Sequence, residues 1–97
     1  MRIIIKLVGK GTPEDPYRVP LPTYRIIKVD YRTKIAEVEV PDWYFEEEYV
    51  DPKTGEVKIR KLDKINIKKL LRMYKRSNII RIIEKHRDVI EKVKVIA

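Results

Sequence analysis

The residues of this chain whose types and spacing could do chemistry are cationic. Between positions 58 and 76 stand Lys58, Arg60, Lys61, Lys64, Lys68, Lys69, Arg72, Lys75 and Arg76, against the single acid Asp63. Ammonium and guanidinium groups at this density suit a polyanion, because each contact with a phosphate releases condensed counterions and contributes sequence-independent affinity. The imbalance is local. Residues 1–57 hold 9 basic and 11 acidic side chains and residues 58–97 hold 14 and 4, so the net charge of +8 comes wholly from the second part. The bland alternative is the Lys-rich exterior of a heat-adapted protein, but such exteriors usually intersperse both signs as ion-pair networks.

Other chemistries find less support. His86 is the lone histidine and falls on the apolar side of a helical pattern, so it reads as a packed residue. Ser77 stands at a helix start without the Gly-x-Ser-x-Gly surround of a nucleophile and reads as a cap. The stretch Gly9-Lys10-Gly11-Thr12 lacks both the spacing and the following helix of a phosphate loop, which leaves only a nest of backbone amides for an anion. Glu46-Glu47-Glu48 lie in a β-rich segment whose alternation prevents convergence on one ion, and nothing in the spacing joins Glu14-Asp15 to them. Trp43, Tyr44, Phe45 and Tyr49 have faces on which bases stack, yet acidic neighbours would repel a polyanion, so most of them read as core. With no cysteine, there is no thiolate metal site, disulfide or thiol nucleophile. No acid, base and nucleophile assemble, and a non-enzymatic protein without cofactor or metal is expected.

The elements that must position the cations follow from periodicity. Met1–Val8 alternates with apolar residues on both faces, as a central strand does. Residues 9–23 hold two Gly and four of the six Pro and form a long loop. Tyr24–Val40 reads as a hairpin around Arg32-Thr33, and Trp43–Val50 as a further strand. Asp51–Glu56 is a turn with Pro and Gly in their preferred places, and Glu56–Leu62 is the returning strand. Asn66 is a good N-cap for a helix whose apolar stripe is Ile67, Leu70, Leu71 and Tyr74, with Lys68, Lys69, Arg72, Lys75 and Arg76 on the opposite arc. A second helix presents Ile79, Ile82, Ile83, His86, Val89 and Ile90 inward, and its outer charges largely pair. The expected fold is α+β: a small antiparallel five-stranded sheet or partly open barrel over residues 1–62, then two C-terminal helices at about 66–76 and 78–92. Val93–Ile96 is suited to a short last strand.

Ninety-seven residues fit a single domain, 1–97, too small to enclose a large substrate. The 43% hydrophobic and 39% charged content excludes a disordered tail. No apolar run approaches the roughly 18–20 residues of a membrane span, and the N-terminus lacks a signal-peptide pattern, so a cytoplasmic protein is expected. Fifteen Ile, two Asn and no Gln match a hyperthermophile's bias. In composition the chain resembles small basic proteins of archaeal ribosomes and chromatin; no aligned motif carries that likeness, and no residue role is transferred from it.

The reading is therefore a nucleic-acid-binding protein contacting the phosphate backbone. Structured RNA, as in a ribosomal or ribosome-associated component of a ribonucleoprotein complex, is preferred, with architectural binding to duplex DNA as the rival. A small protein–protein interaction module with no nucleic-acid ligand is the alternative of a different class.

Overall fold

The computed structural model describes residues 1–96. The fold is α+β, with six strands in two antiparallel sheets and three helices. Strand β1 (Arg2–Lys6) lies inside a four-stranded sheet of order β2-β3-β1-β6, built with β2 (Arg25–Asp30), β3 (Ile35–Glu39) and β6 (Lys94–Val95). Its centrality follows from sequence: Ile3 and Ile5 are fully buried on one face, while Ile4 on the other is half-buried. The pairings Ile3↔Val38 and Ile5↔Ala36 put the core residues of β1 and β3 side by side, and Ile3↔Val95 brings in β6. The segment Val93–Ile96 thus does supply a sixth strand. Edge strand β2 pairs with β3 through a bulge between Ile26 and Lys28, which sets Ile27 out of register.

The β2–β3 turn is held by Asp30, whose Oδ1 accepts from the amides of Arg32 (2.9 Å) and Thr33 (3.2 Å). Those two amides keep the Asp30 carboxyl below the usual carboxylate range. The Pro-rich stretch before β2 is a tightly folded loop. The Asp15 carbonyl accepts from the amides of Lys10 (3.0 Å), Gly11 (3.0 Å) and Thr12 (3.3 Å), so the amides of the suspected anion nest are already used within the chain. Gly9 has φ of 104°, and a Cβ there would lie 2.3 Å from the Pro16 carbonyl oxygen, so only glycine lets the loop close this tightly.

The expected single five-stranded sheet or barrel does not form. Residues Asp42–Phe45 make a 3-10 turn instead of the start of a strand, and this turn sends Tyr44 and Phe45 into the core. The chain leaves it at an angle that detaches β4 (Glu46–Val50) and β5 (Val57–Lys61) from the main sheet as a separate two-stranded arm. Every residue of β5 is exposed.

Helix α1 (Ile67–Met73) begins as expected at Asn66, whose Oδ1 accepts from the Lys69 amide at 3.2 Å. The same side chain donates from Nδ2 to the Glu46 carbonyl at 3.0 Å, tying the helix start to the base of the arm. The helix ends earlier than its apolar pattern suggests. Tyr74 is extended because its ring turns into the aromatic group of Trp43 and Tyr44, so Lys75 and Arg76 lie in the link to α2. The expected second helix is two: α2 (Ser77–Lys85) and α3 (Arg87–Glu91), broken at His86 with φ of −113° and ψ of 30°. Both keep the predicted inner face, with Ile83 and Ile90 fully buried in the core that the inward residues of β1 and β3 also enter.

Candidate nucleic-acid interface

The nine cations between 58 and 76 divide into three groups. Those of β5 are neutralised inside the arm. Lys58 meets Asp51 at 2.8 Å, Arg60 meets Glu47 at 3.4 Å and Lys61 meets Glu46 at 2.9 Å. The cross-strand register that places β5 beside the acidic β4 makes these pairs, Glu46↔Lys61 and Glu47↔Arg60 being directly opposite. Lys58 lowers the Asp51 carboxyl's pKa, and Glu46 raises that of the Lys61 ammonium. Arg60 also lies 4.5 Å over the Tyr49 ring, a cation–π contact that holds it along the arm. The sequence listed Glu46–Glu48 only as an acidic edge; that this edge is the counter-charge of the basic strand follows from the tight Asp51–Glu56 turn, a signal available beforehand.

Lys69 stands apart. Its position on the cationic arc predicted solvent, yet it is 7% exposed, with Nζ 5.9 Å over the Trp43 ring. The 3-10 turn brings Trp43 against α1 and covers this lysine, whose stem packs as an apolar chain.

The remaining five are Lys64 in the loop before α1, Lys68 and Arg72 one turn apart on α1, and Lys75 and Arg76 in the following link. All five are exposed, and none makes an ion pair within 4.0 Å among the described residues. Lys64 and Lys68 line one groove of about 490 Å³ with Asn66 and Arg87, and Lys68 and Arg72 line an adjoining one of about 180 Å³. Acids are present as well: Glu47, Asp63 and Glu91 border the first groove, Glu47 and Glu48 the second. The arrangement offers point charges at the edge of a mixed surface, without a fork of preset donors. No protein-family model matches the chain, and no characterised protein or solved structure matches it either.

The other candidate groups resolve structurally. Tyr44 is buried, and its hydroxyl donates to the Pro22 carbonyl at 2.7 Å and also meets the Tyr74 hydroxyl. Burial, then Tyr74, pushes its pKa far up, so the phenol stays protonated as a structural donor. Ser77 opens α2 without a side-chain capping bond. His86 is half-buried at the α2–α3 break, its Nε2 shut from solvent and without a partner. Among the described residues no three His, Asp or Glu side chains gather as a metal-binding group, and no helix is long and apolar enough to cross a membrane.

Proposed function

We propose that this protein binds structured RNA non-enzymatically through its phosphate backbone, using Lys64, Lys68, Arg72, Lys75 and Arg76 as the principal contacts. The observation that carries this reading is the contrast within the cluster: the β5 cations have carboxylate partners, while these five are exposed and unpaired among the described residues. Unpaired cations gain the full counterion-release term, whereas Lys58, Arg60 and Lys61 must first give up a partner. Point charges without a base-reading motif favour backbone shape over sequence, which suits a ribosomal or ribosome-associated cytoplasmic component. Duplex DNA is the rival ligand, distinguished by a direct competition between an RNA hairpin and a DNA duplex of equal length.

The test is a salt series on an RNA hairpin by fluorescence anisotropy. Reversing Arg72, Lys75 and Arg76 to Glu is expected to abolish retention at moderate salt and to flatten the plot of log affinity against log salt by nearly 3. Changing Lys58, Arg60 and Lys61 to Gln should have a smaller effect. A folded charge-reversed variant that binds as the parent does overturns the assignment.

One observation favours a protein-interaction module as the second reading. The arm exposes Val50, Val57 and Ile59 at 62%, 67% and 60% while pairing all three cations of β5 with its own carboxylates. A projection with exposed apolar side chains, whose strand cations already hold carboxylate partners, is the chemistry of a protein contact rather than of a phosphate contact. A partner retained through high-salt washing and released by Ile59→Glu would support it.

A further inference from the structure

The four-stranded sheet is covered by helices on the Ile3 and Ile5 side only. Its other face is open, and across it runs a groove of about 550 Å³ lined by Ile4, Lys6, Thr33, Ile35, Lys92 and Lys94. Three ammonium groups and two aliphatic side chains line this groove, and no carboxylate does. None of the three lysines makes an ion pair among the described residues. The cations of β5 meet their counter-charges and Arg87 is matched by Glu91 at 3.8 Å, whereas these three, like the exposed cations around α1, do not. Like charges gathered on neighbouring strands oppose folding. Their concentration at one end of an apolar floor, where no carboxylate lines the groove, makes that end the electrostatic complement of an anion.

The shape narrows the ligand. This groove shares Ile4, Thr33 and Ile35 with a second one of about 210 Å³, which Lys28, Asp30 and Glu37 also line, so the acid-free part is the one around Lys6, Lys92 and Lys94. Together they form a trench open at its sides, fit for a polymer passing through and unsuited to enclosing a small molecule. We propose that this trench binds a single strand of nucleic acid, with phosphates on Lys6, Lys92 and Lys94 and the apolar edges of sugars and bases over Ile4 and Ile35. It shares no residue with the surface around α1. The inference rests on the nucleic-acid reading above for its choice of ligand, but on separate residues for its site.

The probe is a labelled twelve-nucleotide oligothymidylate, titrated by anisotropy across a salt series alongside the RNA hairpin. Lys6→Gln, Lys92→Gln and Lys94→Gln together are expected to weaken oligothymidylate binding at least tenfold and to reduce the salt slope by about 2, from about 0.7 per neutralised charge. A control carrying Lys10→Gln, Lys53→Gln and Lys85→Gln loses the same net charge outside the trench and should bind nearly as the parent does. Equal losses in the two triple variants mean a net-charge effect only and overturn the site, as does unchanged binding by the trench variant. Hairpin binding that depends on α1 but is accompanied by no oligothymidylate binding ends this inference alone, and absence of binding by either probe ends both. A folding check is built in, because removing the three lysines relieves repulsion and should raise the melting temperature at low salt.

Discussion

At the scale of single residues, burial and pairing decide what each charge can do. His86 illustrates this: burial comes first, with Lys85 and Arg18 adding repulsion against weaker help from Asp88 and Asp15, and its pKa is held below the ordinary 6.5. The fold therefore prefers the neutral imidazole. Its contribution to stability is complete above about 6.5 and declines as pH falls through that value toward the lower folded-state pKa. Melting temperatures across roughly pH 4.5 to 8, the range in which histidine titrates, should drop on the acid side, and His86→Phe should flatten that part of the curve. A parent and variant with parallel profiles would remove His86 as the cause. Ile83 makes the complementary case for apolar packing. It is fully buried on the inner face of α2, and Ile83→Ala should cost about 2 to 5 kcal/mol by leaving a cavity, as read from chemical denaturation. A loss below about 1 kcal/mol would mean that the helix does not dock as described.

At the scale of elements, Asn66 joins two parts that would otherwise be independent, capping α1 while holding the Glu46 carbonyl. Asn66→Ala should destabilise by about 0.5 to 2 kcal/mol as a lost cap; Asn66→Asp, which keeps the acceptor but not the donor, should recover part of that loss. The cap was legible in the sequence because Asn directly precedes the apolar period. So were the strands, the Asp51–Glu56 turn and the inward isoleucines of α2 and α3. What escaped was tertiary. The run Trp43–Phe45 has strand propensity, but two of its rings pack into the core through a 3-10 turn, and no local pattern announces that choice. That one turn split the sheet and covered Lys69. The break at His86 is equally silent, for neither proline nor glycine stands there. As for the candidate interface, spacing found the cations, and the Asp51–Glu56 turn already implied that β5 would lie beside the acids of β4, a consequence that charge counting along the chain does not capture. The trench was missed because its lysines come from segments far apart in the chain, β1 and the stretch around β6.

At the scale of the whole molecule, the arm sets the shape. A radius of gyration of 15.0 Å and extents of 54 × 30 × 20 Å exceed the roughly 12.5 Å radius of a compact chain of this length. Replacing residues 47–60 by a two-residue Asn-Gly turn should lower the radius measured by small-angle scattering while shifting the melting temperature little, because β5 buries no side chain. A collapse of stability would show that the body leans on the arm. The pairing of β1 with β6 has a different kind of consequence, one of timing. During synthesis β1 emerges first, and the strand that closes its second edge follows the arm and all three helices. At ordinary elongation rates this interval is several seconds. Throughout it that edge of β1 keeps its amides and carbonyls without a neighbouring strand, a rim on which another extended segment could pair until β6 arrives.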